Sequence, residues 1–187
     1  MRVAFHTLGC RLNQYDTEGI KAALRLARPV EVVAWGDEAD LYLLNSCTVT
    51  GKADQECRRL ARQVKRRHPE ARVVVAGCYA QTQPQALAGV AEIDAVLGNT
   101  TKDAVAQWLP AVMARPARGG AEEDDPEAVV MVDAFPRRPG FDAPAIDEFT
   151  GRSRAFVKVQ DGCDLRCAYC LIWQARGPAR SRPPASV

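Results

Sequence analysis

The sequence predicts an α/β fold built on a parallel, doubly wound sheet, and three observations predict it. Short apolar runs rich in Val and Leu recur through the first hundred residues, a stretch of helical periodicity follows most of them, and several end at a turn bearing a cysteine. Strands that alternate with helices pair in parallel, because each return crossing is long enough only when it contains a helix.

Val3 to Thr7 reads as a short buried strand. Gly9-Cys10 follows, then a helix from about Tyr15 to Ala27 with Asn13 as its N-cap and Asp16 in its first turn. Glu31 to Ala34 reads as a short extra strand. Leu41 to Leu44 is the next apolar strand, ending at Asn45-Ser46-Cys47, and a helix runs from about Ala53 to Arg67 before Pro69. Arg72 to Ala76 is another strand, ending at Gly77-Cys78, after which Thr82 and Pro84 open a helix. Ala95 to Leu97 leads through Asn99-Thr100-Thr101 into a helix that passes Trp108. These elements make residues 1–114 one Rossmann-like or flavodoxin-like domain.

Residues 115–150 are rich in Pro, Gly and acidic side chains, with Glu122, Glu123, Asp124, Asp125 and Glu127 crowded together and only Ala128 to Val132 reading as a strand. That composition predicts an interdomain linker with a short strand. Arg154 to Gln160 then alternates as a strand, and residues 151–187 read as the beginning of a second domain.

Composition narrows the setting. Hydrophobic residues make up 47% of 187, as in globular proteins, and no apolar run approaches a membrane span. The start, Met1-Arg2-Val3-Ala4-Phe5-His6, enters a strand without a secretory pattern, so a cytoplasmic protein with no membrane partner is expected. Seven cysteines in that compartment read as metal ligands or catalytic groups rather than disulfides. A net charge of +2 gives no bulk attraction to nucleic acid. Arg58, Arg59, Arg62, Lys65, Arg66 and Arg67 nevertheless crowd one helix, which reads either as a solvated outer face or as an RNA contact through Arg58, Arg62 and Lys65.

The chemistry lies in the cysteines. Cys163, Cys167 and Cys170 form one compact loop, spaced four and three apart. A 4Fe-4S cluster normally takes four thiolates, so three would leave one iron for a ligand that is not protein. Zinc would want a fourth Cys or His nearby, and none follows Cys170. A ferredoxin run repeats its cysteines differently. Cys10, Cys47 and Cys78 each follow a strand end, and right-handed crossovers place those ends along one edge, where open α/β sheets bind ligands. Taken singly, each is a small buried hydrophobe. Together they read as a second iron–sulfur site. Cys57, inside the basic helix, shares no edge with them and reads as a core or surface residue.

The Cys163 loop, with Tyr169 just before its last cysteine, resembles the signature of radical S-adenosylmethionine (SAM) enzymes. The segments His6-Thr7-Leu8-Gly9-Cys10-Arg11-Leu12-Asn13-Gln14-Tyr15, Asn45-Ser46-Cys47-Thr48-Val49-Thr50 and Ala76-Gly77-Cys78-Tyr79-Ala80-Gln81 extend that likeness over the chain. In order and wording they resemble the methylthiotransferases, and most of all the branch that acts on threonylcarbamoyladenosine in tRNA. The resemblance implies two 4Fe-4S clusters, one on Cys163, Cys167 and Cys170 that binds SAM, and an auxiliary one on Cys10, Cys47 and Cys78. It implies a partial (β/α) barrel begun at residues 151–187, tRNA as partner, and an electron donor such as flavodoxin or ferredoxin. It implies a methylthio group added to C2 of N6-threonylcarbamoyladenosine next to the anticodon. The alternatives are a ribosomal-protein aspartate as substrate, or a non-catalytic iron–sulfur module.

Tyr169 would then pack beside SAM, or else fill the loop core. Arg176, Arg180 and Arg182 match the family's Arg-Gly and Arg-Ser-Arg run and would reach phosphate or the SAM site, with solvated charge as the other reading; Arg180 and Arg182 are counted with the RNA-binding candidates. Trp173 departs from the family, which usually has proline there. Family members also continue well beyond the position of Val187, so the chain is expected to be an amino-terminal portion, inactive alone.

Overall fold

The computed structural model describes residues 1–48, 50–119, 127–137, 140–141, 146, 149 and 156–186. Six strands form one parallel sheet: β1 (Arg2–Thr7), β2 (Glu31–Val33), β3 (Leu41–Ser46), β4 (Arg72–Gly77), β5 (Ala95–Leu97) and β6 (Val129–Met131), in the order β2-β1-β3-β4-β5-β6. Helices α1 (Arg11–Ala27), α2 (Gly51–Arg67), α3 (Cys78–Thr82), α4 (Pro84–Ala88) and α5 (Val105–Met113) connect or flank them.

Strand alternation sorts the core into two layers. Leu41, Leu43, Val74 and Ala76 pack with Ile20 and Leu24 of α1 and with Trp108, Leu109 and Val112 of α5. Tyr42, Leu44, Val73 and Val75 face the other way, onto Leu60, Ala61 and Val64 of α2 and Tyr79 and Leu87 of α3 and α4. The sheet is therefore covered on both faces, and β3 is buried along its whole length. The parallel, doubly wound domain expected from the sequence is present.

Because β1 lies between β2 and β3, the chain reverses its direction of travel across the sheet there. The carboxyl ends of β1 and β3 consequently flank the topological switch point, the usual ligand crevice of such sheets.

Four details differ from the sequence-based expectation. Helix α1 begins at Arg11 with Cys10 at the N-cap, so Asn13 and Asp16 lie inside it and are buried. Helix α2 starts earlier, at Gly51, with the Thr50 hydroxyl accepting the Ala53 N–H at 3.3 Å. The strand within the expected linker is β6, hydrogen-bonded in parallel to β5 as the sheet edge; the acidic residues Glu122 to Asp125 lie outside the described residues. Finally, Arg154 and Ala155 lie outside the described residues, and Phe156 to Val159 carry no strand. Among the described residues from 156 onward, strand pairing occurs between β7 (Gln160–Asp161) and β8 (Arg180–Ser181), and it is antiparallel. Helix α6 (Ile172–Arg176) lies between them in sequence and packs against α3. Among the described residues no helix is long and apolar enough to cross a membrane.

Candidate functional site

Cys10, Cys47 and Cys78 all stand at the carboxyl edge of the sheet, three residues after β1, directly after β3 and directly after β4. Cys47 and Cys78 are buried and Cys10 is exposed. The turns press close. A side chain on Gly9, whose φ is +98°, would stand 2.6 Å from Cys47 Cβ and 2.7 Å from its Sγ, so only glycine lets the first loop approach the second.

Asn13 ties the loops together. Its amide donates to Leu8 O at 2.8 Å and Ser46 O at 2.9 Å, which fixes its carboxamide and turns Oδ1 toward Cys78 Sγ, 3.8 Å away. Beneath it, Asn45 Nδ2 donates to Asn13 O at 2.8 Å and to Thr17 Oγ1 at 3.0 Å. On the far side of Cys78, Asn99 Nδ2 donates to the sulfur at 3.6 Å and to Ala175 O at 2.7 Å. Burial pushes the Cys78 thiol pKa up, against the lowering effect of the Arg176 charge and the Asn99 amide.

Two buried polar atoms along this edge, Asn45 Oδ1 and Asn99 Oδ1, have no partner among the described residues. Buried polar groups are rarely left so, and where they are, an additional group commonly completes them. Soft sulfur donors beside such atoms fit an iron–sulfur group. The sulfurs do not form a finished ligand set, however, since among the described residues no three His, Cys, Asp or Glu side chains are arranged to hold a metal. Thiols gain little from converging until a metal binds them.

The second triad sits on the segment that packs against this edge. Cys163, Cys167 and Cys170 are half-buried. The Cys163 N–H donates to Gly177 O at 3.0 Å, and the Cys170 N–H to Cys167 O at 3.0 Å, a turn that places the last two cysteines on one loop. Tyr169 is 91% exposed, so it does not fill the loop core.

Sequence reasoning missed the group that joins the two halves. Asp16 is buried and accepts from Lys158 Nζ at 3.0 Å and Arg176 at 2.9 Å, with Lys102 Nζ 3.8 Å away. Asp161 pairs with Lys158 at 2.6 Å, Arg176 at 3.1 Å and Arg180 at 3.2 Å. Burial raises the Asp16 pKa, but Lys102, Arg176 and Lys158 outweigh it and hold the carboxyl well below the usual range. Asp161 is lowered in the same way, with Arg176 and Lys158 overcoming burial. Arg176, expected at phosphate, at the SAM site or in solvent, is instead 1% exposed, and the nitrogen that meets Asp16 also donates to Asn13 Oδ1 at 2.6 Å. Asp16 could have been found, since Asn13, Asp16 or Thr17, Ile20 and Leu24 mark one buried helical stripe.

The basic helix divides. Lys65 is buried, bonded to Ala71 O at 2.8 Å and paired with Asp94 at 2.9 Å, so it is removed from the candidate RNA face. It lies on the inward stripe with Cys57 and Ala61. Arg62 is exposed with a loose pair to Glu92 at 3.8 Å, and half-buried Arg58 lies over the Tyr79 ring and bonds its hydroxyl. Arg180 is half-buried against Asp161 and the Phe135 ring, and Arg182 is half-buried and bonded to the Tyr15 side chain. Cys57 has no exposed surface, and burial, with Asp54 beside it, pushes its thiol up to about 12. Under native conditions Cys57 is expected to resist iodoacetamide while the half-buried loop cysteines react; native labelling of Cys57 as fast as Cys163 would remove it from the core.

A model of the uncharacterized protein family UPF0004 matches residues 2–98. The threonylcarbamoyladenosine tRNA methylthiotransferase MtaB of Aquifex aeolicus is 41% identical over 97% of this chain and 42% of its own length. Its Bacillus subtilis counterpart is 34% identical over 99% of this chain and 39% of its own length. The ribosomal protein uS12 methylthiotransferase RimO of Chloroflexus aurantiacus is 30% identical over the whole chain and 42% of its own length. The chain thus spans about two fifths of the length of these relatives.

Proposed function

This chain belongs to the UPF0004 family, and from that premise and its similarity to methylthiotransferases we propose that it is part of a radical SAM tRNA methylthiotransferase. The reaction is addition of a methylthio group to C2 of N6-threonylcarbamoyladenosine beside the anticodon. The observation that carries the reading is the meeting of two three-cysteine segments, one at the sheet's carboxyl edge and one packed against it through α6.

Cys163, Cys167 and Cys170 would hold the cluster that binds SAM, and Cys10, Cys47 and Cys78 the auxiliary cluster. Such clusters, when bound, supply the electron that cleaves SAM and an iron site for the sulfur group. The chain's own residues contribute placement. Asn13 and Gly9 fix the loops around Cys47, Asn99 donates to Cys78, and the exposed Tyr169 ring is free to cover bound SAM. Residues 151–187 would begin the partial barrel, with residues 1–114 and the edge strand β6 as the auxiliary-cluster domain and the rest of residues 115–150 linking them. A flavodoxin or ferredoxin would serve as electron donor, in the cytoplasm.

Support for tRNA comes from the relatives named for that substrate at 41% and 34% identity. Exposed Arg62, with Arg66 and Arg67, provides a basic strip for phosphate. The test is nucleoside analysis of tRNA from cells lacking the gene. Loss of the methylthio group on threonylcarbamoyladenosine, restored by the full-length gene, is the expected result. Unchanged tRNA with loss of a modified uS12 aspartate would move the substrate to the other branch, and neither loss would favour a non-catalytic iron–sulfur module.

A further inference from the structure

The buried ion-pair group that links the two segments is not electrically balanced. Among the described residues of this group, Lys102, Lys158 and Arg176 are buried on the basic side and Asp16 and Asp161 on the acidic side. The half-buried Arg180 and the more exposed Asp103, which pair with members of the group, add one charge of each sign and leave the surplus unchanged. A buried charge without a counter-charge is strongly disfavoured, because desolvation is not repaid by a partner. The surplus therefore calls for an anion nearby.

Geometry shows where that anion would be. Arg176 meets Asp16 and Asp161 and also donates to Asn13 Oδ1, the same oxygen that faces Cys78 Sγ. The guanidinium of Arg176 is thus separated from the nearest edge cysteine by a single carboxamide oxygen, close enough for its charge to act through space. Asn99 makes a second bridge, from Cys78 Sγ to the backbone of Ala175, the residue before Arg176. Asp161, the other Arg176 partner, starts the Cys163 loop two residues before its first cysteine.

We propose that Arg176 is a positioning residue that does two things at once: it supplies the counter-charge for the anionic group held by Cys10, Cys47 and Cys78, and it fixes the Cys163 segment to that same point. The inference rests on the reading that those three cysteines hold an iron–sulfur cluster. A positive charge beside a cluster favours its reduced, more negative state, so the residue raises the reduction potential of the auxiliary site. The fork of Arg176 is needed because one lysine ammonium is a compact point charge that does not span Asn13, Asp16 and Asp161 in the same fixed geometry.

The test uses the full chain with Cys163, Cys167 and Cys170 replaced by serine, reconstituted anaerobically with iron and sulfide so that only the edge site is loaded. Its midpoint potential is measured with Arg176 intact, as Arg176→Gln and as Arg176→Lys. Glutamine leaves two buried cations against two carboxylates, a balanced set that permits folding. It is expected to shift the potential to more negative values, and lysine to recover most of the shift. Lys158→Gln, which takes one charge from the same group while keeping Arg176, shifts it in the same direction by less. Unchanged potentials in Arg176→Gln and Lys158→Gln at undiminished iron content would overturn the inference. Absence of any iron–sulfur centre with Arg176 intact would instead overturn the reading of the edge cysteines, and the inference with it; iron content separates the two failures.

Discussion

Asp16→Asn is expected to destabilise the chain by about 3–5 kcal/mol, the usual result of removing one member of a buried ion pair. Asparagine has nearly the same shape, so packing in α1 hardly changes and the effect is electrostatic. Three buried cations would then face one buried carboxylate, Asp161, with the more exposed Asp103 beside Lys102. Denaturant unfolding of the two chains at pH 7 measures the difference, and a loss below about 1 kcal/mol would place the pair among weak surface bridges. The pH dependence has a fixed sign. Asp16 and Asp161 both have folded pKa values below their unfolded ones. Their stabilisation is therefore fully present above about pH 4 and is lost as pH falls through the depressed folded values. Asp16→Asn should show a shallower acid loss than the parent chain.

Gly77→Ala has the second large effect, because it acts on the turn that delivers Cys78. Gly77 has φ +96° and ψ −153°, a region essentially reserved for glycine and worth roughly 1–3 kcal/mol of strain for other residues. An added Cβ would also collide with Asn45 Oδ1 and stand 2.7 Å from Ser46 O. Asn45 is held from below by Asn13 and Thr17 and has little room to give. A loss of about 3 kcal/mol is expected from strain and overpacking together. Gly36→Ala, with open space at its Cβ position, is the control and should be close to neutral. Equal behaviour of the two variants would mean that the Cys78 turn is not held as described.

The sheet was legible because its strands are local signals. Leu41 to Leu44 and Arg72 to Ala76 are continuous β-rich runs, and the cysteines that end them needed only the crossover rule to be placed on one edge. Lys65 carried a signal that charge counting hid: spaced four from Ala61 and eight from Cys57, it sits on the buried stripe of an otherwise basic helix. Arg176 carried none. Its helix is five residues long, and its partners Asn13 and Asp16 lie 163 and 160 positions away in sequence. Likewise β6 was recognisable as a strand, but its partner β5 is fixed by the tertiary path and not by either run. The Phe156 to Val159 alternation misled because period-two apolarity does not by itself supply a neighbouring strand.

Iron and acid-labile sulfide content after anaerobic reconstitution tests the central claim, that the chain holds two separate three-cysteine iron–sulfur sites. The measurement compares the parent chain with one lacking Cys163, Cys167 and Cys170 and one lacking Cys10, Cys47 and Cys78, Cys57 being present in all. Each variant is expected to keep about half of the parent's iron, as two clusters of one type require. Full loss in either variant, or full retention in one of them, would contradict it.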